Sequence, residues 1–402
     1  SSWTLPAHMS LFTSMDIMTH GVGDDGNSLH KDISTLPMVF KNNGYRTAAF
    51  CSSPYLNPAF GYDRGFDLYY NIDLDDPQFE DTVRPPHEQW DAVQSAISSP
   101  RITDLACDWL EENSSGPFFL FVHMFDVHYD YNPPEPYDRK FDPDYTGDID
   151  CKLYITDATA DTIYPDMAPR DLAHVIALYD GEIAYVDYHL GLIIEKLKEL
   201  GIFEQTLIVI TADHGDEFFE HGKKGHGNSL FDEVIKIPLI FHCPEVVDRG
   251  GEIDNQVGII DIAPSILDLC GLNVPGWMQG RSLLPLIQGK SIPDDECVLL
   301  DLRGWRGDLK ALRTNSYKLI FNTKSLQTII YDLVRDPEES GRDPVIDPAR
   351  WSAANNLFHS RMEDDHLRAK HIRGNQSGEP VQLSEKDTAR LKTLGYLGRY
   401  GE

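Results

Sequence analysis

The chain has 402 residues, 41% apolar and 25% charged, an ordinary globular composition long enough for one large domain plus a smaller one. Its net charge of −30 repels nucleic acid and anionic membranes, so an anionic substrate would need a local positive centre. No apolar run approaches the ~18 residues that span a bilayer, and no basic-then-apolar leader opens the chain, so neither a membrane segment nor a signal peptide is expected in it.

Residues 3–14 (WTLPAHMSLFTS) predict a helix: Thr4 caps it, Pro6 suits its first turn, and Leu5, Met9 and Phe12 fall on one face. A short helix over 36–43, stopped by Gly44, leads to a strand over 45–50. The pattern repeats with a helix over 104–112, a Gly116-Pro117 break and a buried strand over 118–122. Residues 139–168, rich in Asp, Pro and Thr, read as an insertion over the sheet edge. An amphipathic helix over 171–200 follows, then apolar strands over 207–210 and 237–241 and a helix over 261–269. Helices alternating with uniformly apolar strands predict an α/β fold with a doubly wound, mostly parallel sheet. Beyond about residue 290 the spacing shortens. Strands over 298–302, 309–312, 317–321 and 328–333, with helices over 349–362 and 384–394, predict a small C-terminal antiparallel sheet subdomain. The expected division is a catalytic α/β domain over 1–290 and an α+β subdomain over 291–402.

Three clusters at strand ends or helix starts carry chemistry-bearing side chains. The strand over 207–210 runs into Asp213-His214-Gly215, a carboxylate and an imidazole at the edge where open α/β sheets bind ligands. That pair suits a borderline divalent cation such as zinc or manganese; alone, it is more often an Asp capping a turn beside a solvent-facing His. Thr4, at a helix N-terminus, sits where backbone N–H groups stabilise an alkoxide. Most such threonines simply cap. The loop after residue 122 supplies His123, read as a wall residue, and His128, placed to bind a substrate oxygen or protonate a leaving group. The Gly-rich loop 220–230 gathers His221, Lys223, Lys224 and His226, a local cationic patch in an acidic chain; its lysines read individually as solvated. The six cysteines show no Cys-x-x-Cys spacing. Cys107, Cys243 and Cys270 read as buried free thiols, which leaves the redox compartment open.

In chain order, residues 4–14 (TLPAHMSLFTS), 20–22 (HGV), 44–50 (GYRTAAF), Asp126 to His128 with Pro133-Pro134, Asp213-His214-Gly215, 231–238 (FDEVIKIP), 261–264 (DIAP), 317–320 (YKLI), 331–337 (YDLVRDP) and 394–397 (LGYL) resemble segments of the sulfatase branch of the alkaline phosphatase superfamily. The resemblance implies that fold, hydrolysis or transfer of a phosphate or sulfate ester, and a divalent metal ion (zinc, manganese or calcium). It makes Thr4 the nucleophile and places Thr4, Asp213 and His214 at the metal. It gives His128 and His226 catalytic and substrate-binding roles, and His8 and Lys224 a place at the substrate. Thr4 stands where the family's sulfatases carry the Cys or Ser that becomes formylglycine, and Thr cannot form that aldehyde. His8 replaces the motif's Arg, His226 stands for the family's substrate lysine, and the Lys-Trp-His segment after the 45–50 strand is absent. A plain Thr is similar to the superfamily's phosphodiesterases, phosphonate hydrolases and transferases. The family's first strand, which donates further metal-binding aspartates, is expected upstream of Ser1. The alternatives are a sulfatase that uses Thr directly and a non-catalytic binding protein on the same scaffold. The substrate expected is a small-molecule, glycan or lipid ester; oligomeric state and compartment stay open.

Overall fold

The computed structural model describes residues 1–72, 98–128, 131–151, 163–244, 246, 250–290, 297–303, 308–341, 348–374, 378–385, 387–388 and 391. Its main elements in chain order are α1 (Thr4–Thr13), α2 (Ile17–His20), α3 (Leu36–Asn42), β1 (Arg46–Cys51), β2 (Leu68–Asn71), α4 (Ser99–Asn113), β3 (Phe118–Val122), α5 (Pro169–Glu199), β4 (Ile208–Thr211), α6 (Asp232–Ile235), β5 (Leu239–His242), α7 (Ile262–Leu269), β6 (Val298–Leu302), β7 (Leu309–Arg313), β8 (Tyr317–Asn322), β9 (Thr328–Asp332) and α8 (Pro348–Arg373). They fall into two compact units: Ser1–Leu36 with Glu204–Glu217 and His226–Val381, and Pro37–Phe203 with Phe218–Gly225 and Gln382–Glu402.

In the second unit β1 lies between β2 and β3 and runs parallel to both, with Ala48 opposite Leu68 on one side and Leu120 on the other. Parallel neighbours need crossover connections, and α4 is one: Ile102, Ala106 and Leu110 recur at helical spacing and are buried. Asp126, after β3, reaches back to the start of α4, accepting the N–H groups of Ser98 at 2.7 Å and Ser99 at 2.6 Å and both hydroxyls. Those N–H groups would otherwise lack helical partners, and a carboxylate suits the positive end of the helix dipole. The 31-residue α5 buries Val175, Leu178, Tyr185, Ile193 and Leu197 along one stripe. The described part of the Asp- and Pro-rich insertion is tied to the first turns of α5. Arg170 grips Asp142 through two hydrogen bonds of 2.6 Å, His174 meets Asp142 at 2.9 Å, and the Tyr145 hydroxyl donates to Asp171.

In the first unit β4 pairs with β5 in antiparallel register, Ile208 opposite His242 and Thr211 opposite Leu239. The 237–241 strand thus sits two residues later than its sequence suggested and runs against β4. The C-terminal meander matches expectation within a residue at most ends: four antiparallel strands in the order β9-β8-β7-β6. Leu312 and Leu319 on the sheet pack with Ala354 and Phe358 of α8. That helix runs to Arg373, well past the expected 362, while the helix expected over 384–394 lies mostly outside the described residues.

Two expectations for residues 3–14 are corrected. Trp3, not Thr4, is the N-cap, so Thr4 is the first residue inside the helix. The helix is buried all round rather than on one face, with all ten residues enclosed. All six cysteines are free; Cys51 and Cys151 are the buried ones, whereas Cys107, Cys243 and Cys270 are half-buried. No described helix is long and apolar enough to cross a membrane.

Candidate active site

The first unit brings five side chains together around Thr4. The turn after β4 carries Asp213, His214 and Asp216, and the loop before α6 carries His226. The turn is backed by α6: the Gly215 N–H donates to Val234 O at 2.8 Å, and a Cβ on Gly215 would stand 2.3 Å from Glu233 O. Only glycine permits so close an approach of two backbones.

His214 Nδ1 lies 3.0 Å from the Gly215 carbonyl oxygen, which accepts but cannot donate, so Nδ1 carries the proton. In the neutral ring Nε2 presents its lone pair, 3.3 Å from Thr4 Oγ1 and 3.4 Å from Asp213 Oδ2. The Thr4 hydroxyl therefore donates to His214. His226 Nδ1 likewise donates to a fixed acceptor, Asp216 Oδ1, at 2.7 Å, which leaves Nε2 as its other ring nitrogen. The two rings lie 4.0 Å apart between centroids. His8 Nδ1 donates to Thr4 O at 3.0 Å and lies 3.5 Å from Asp213 Oδ2. Burial pushes the His8 imidazole below its usual value, against the pull of Asp213, so the ring is neutral near pH 7. His8 is not a cationic replacement for an arginine.

Thr4 sits in the first turn of a ten-residue helix, where the dipole favours a developing negative charge. His214, Asp216 and His226 can each offer one donor atom, all within 4.8 Å of one another. Neutral imidazoles whose other N–H is held by a carbonyl or a carboxylate are the donors a divalent cation selects, so the residues present fit such an ion. Asp216 escaped the sequence reading. Its one signal is its place three residues after Asp213, across a glycine that lets the turn fold tightly. A second hydroxyl–imidazole pair nearby has the opposite polarity. His20 Nδ1 accepts the Val22 N–H at 3.1 Å, so Nε2 carries the proton and donates to Ser10 Oγ at 3.1 Å. His20 is thus no base for Ser10. A cavity of about 590 Å³ opens beside Asp213 between β4, β5 and the C-terminal sheet, with apolar walls such as Leu239 and Leu300 and the carboxylates of Asp16 and Asp365.

The remaining candidates lie in the second unit. His128 is 8% exposed, its ring stacked on Phe125 at 4.2 Å, in the loop that Asp126 anchors to α4. His123 lies 6.5 Å from the Phe121 ring and 6.4 Å from that of Phe125, as a wall residue would. Lys224 is half-buried, and its Nζ donates to Ile163 O at 3.3 Å. Lys223 is exposed.

Comparison with known proteins gives a consistent family. The Sulfatase family model matches residues 1–272, and a second, described as N-sulphoglucosamine sulphohydrolase, C-terminal, matches residues 220–366. The chain is 26% identical over 278 residues to arylsulfatase K of Canis lupus familiaris, covering 59% of this chain and 50% of that protein. It is 23% identical over 412 residues to N-acetylglucosamine-6-O-sulfatase of Bacteroides thetaiotaomicron, covering 83% of this chain and 73% of that one. The chain spans about half the length of the first curated relatives it matches. Among solved structures, a phosphonate monoester hydrolase from Silicibacter pomeroyi superposes with a TM-score of 0.71 at 22% identity, covering 91% of this chain and 86% of that one. An α/β body with a small C-terminal antiparallel sheet, a first helix that opens on Thr4, and Asp213-His214 after β4 are therefore the features of a chain that belongs to the sulfatase family.

Proposed function

We propose that the protein is a metal-dependent hydrolase or transferase that cleaves a monoanionic phosphate, phosphonate or sulfate ester through Thr4. The observation that carries this reading is the Thr4 hydroxyl, 3.3 Å from the His214 Nε2 lone pair at the start of a buried helix. His214 and Asp213 orient Oγ1, and the fixed helix leaves it little freedom, as an in-line attack on phosphorus or sulfur requires. The new bond joins Thr4 Oγ1 to phosphorus or sulfur as the bond to the leaving oxygen breaks. The Thr4 proton passes to His214 Nε2, and the leaving oxygen takes up a proton, the role that the family resemblance gives to His128. Water or an acceptor alcohol then removes the group from Thr4. A divalent cation held by Asp216 and His226, with Asp213 adjacent, would lower the pKa of the threonine hydroxyl and offset negative charge on the transferred group, while His214 Nε2 stays with that hydroxyl.

The charge class follows from the groups around Thr4, which are imidazoles and carboxylates. They suit an ester with one negative charge, such as a phosphodiester, a phosphonate monoester or a sulfate ester, better than a doubly charged phosphate monoester. The names of the sulfatase relatives favour a second reading, in which the ester is a sulfate on a sugar. Hydrolysis of an aryl phosphodiester, an aryl phosphonate, an aryl sulfate and an aryl phosphate monoester, with zinc, manganese or calcium supplied, separates these readings. The expected result is turnover of a monoanionic ester that falls at least ~10³-fold in Thr4→Ala with the thermal midpoint unchanged. Turnover retained in Thr4→Ala would sink the mechanism; a preference for the aryl sulfate would establish the second reading.

A further inference from the structure

Lys318, on β8, is fully buried, 0% exposed, and no step of the chemistry uses it. An ammonium so placed must be surrounded by acceptors. Its Nζ donates to Leu230 O at 3.1 Å, to Glu339 Oε2 at 2.7 Å and to Asp232 Oδ1 at 2.6 Å. Arg313, on the neighbouring strand β7, donates to the same Asp232 carboxylate through Nε at 2.9 Å and Nη2 at 2.6 Å. The Asp232 N–H completes the ring by donating to Glu339 Oε2 at 2.8 Å. Burial alone would raise the Asp232 carboxyl, but the Arg313 hydrogen bonds and the Lys318 charge outweigh it and hold the group at about 2.

What this cluster grips is the chain that carries the active site. Leu230 and Asp232 end the loop that begins at His226, whose neighbour Gly227 donates its N–H to Ser2 O at 2.8 Å. Asp232 also opens α6, and α6 is the element against which Gly215 closes, through its bond to Val234 O. The His214 turn and the His226 loop are thus both referred to one buried ammonium in the C-terminal sheet. A methionine in such a place is often as stabilising as a buried ion pair, or more so, which makes stability a weak reason for a lysine. Directional bonds to three acceptors on two segments fix geometry, which apolar packing does less sharply.

We propose that Lys318 is a positioning residue of the active site: it locks the 226–232 loop to α6, so that His226 and His214 face one another beside Thr4. The proposal rests on the reading of Thr4, His214 and His226 as the reacting centre.

The test compares Lys318→Met with the double variant Lys318→Met/Glu339→Gln, which removes the cation together with one carboxylate and so leaves Arg313 and Asp232 as a matched pair. Three readouts are needed: the thermal midpoint; kcat and KM on the ester the wild type hydrolyses; and ring NMR signals of ¹³C-labelled histidine, with His214 and His226 assigned by substitution. Lys318→Met is expected to melt early. The double variant is expected to regain most of the thermal midpoint while kcat stays about 10- to 100-fold down, KM moves less, and the His214 and His226 signals are displaced. Recovery of midpoint, kcat and ring signals together would overturn the proposal and leave the cluster a stability device. If no ester is turned over, so that the catalytic reading itself fails, the ring signals still decide: wild-type signals in the double variant overturn the proposal and displaced ones uphold it. Should neither Met variant fold, Lys318→Arg keeps the charge but moves the donors. Displaced signals in that variant uphold the proposal, and wild-type signals with full turnover overturn it.

Discussion

Two clusters of ionisable side chains in the same unit are built on opposite principles. Around Lys318, two cations meet two carboxylates through ion pairs, and their charges cancel. Around Thr4, the carboxylates of Asp213 and Asp216 face imidazoles, and burial keeps His8 neutral. The first arrangement is balanced in charge. The second gathers two carboxylates against imidazoles, and the cation and ester of the proposed function would balance it. Proximity of charged groups therefore does not mark a functional site; an unbalanced set of donors and acceptors does.

The sharpest way to break that contrast is at Asp216. Asp216→Asn leaves His226 without its anionic partner, and zinc or manganese binding measured by calorimetry should weaken about 10- to 100-fold. Unchanged affinity would remove His226 from the metal set. Next is Gly215→Ala, whose Cβ would lie 2.3 Å from Glu233 O and must push α6 away. A loss of about 1–3 kcal/mol in chemical denaturation is expected, with turnover falling more than stability alone explains. If both stay at wild-type values, the turn is not held by α6.

The smallest effect tests a third acidic pair, on the wall of the cavity. Asp16 lies beside Asp365, with Gln279 between them: its Oε1 accepts the Asp16 N–H at 3.0 Å and its Nε2 donates to Asp365 Oδ1 at 2.8 Å. Burial, reinforced by the Asp365 carboxyl, pushes Asp16 up from 3.8 to about 8. From about pH 4 to 8 the folded carboxyl keeps a proton that the unfolded chain has released, so its contribution to stability falls as pH rises through that window. Asp16→Asn should flatten the fall and raise the thermal midpoint at pH 8 by a few degrees. A wild-type pH profile in the variant would show that Asp16 titrates normally.

Much of the fold was legible because its strands are short apolar runs between turn residues: the C-terminal meander follows directly from residues 298–333. Helix boundaries were less so; α8 outran its apolar pattern because its later turns carry charged residues on the solvent side. Thr4, Asp213, His214 and His226 were legible through motif order, and the structure brings those four together. Asp216 was hidden because a carboxylate after a glycine is common, and its partner lies ten residues on, across a loop. The direction of the strand 239–242 was not legible, because uniform hydrophobicity indicates burial and carries no sense of direction. Lys318 was unreadable for a different reason. A lysine in a four-stranded meander ordinarily points to solvent, and only the return of residues 230–232 against the sheet encloses it.

The pairing of Thr4 with His214 spans 210 residues of chain, and the Lys318 contacts to the 226–232 loop close only once Glu339 is in place. During synthesis, therefore, the ribosome releases Thr4 long before His214, and His214 long before Lys318. A nascent chain of this protein holds an inert threonine until the C-terminal sheet has emerged. Activity should thus appear late and all at once, as a property of the finished sheet rather than of the helix that bears the hydroxyl.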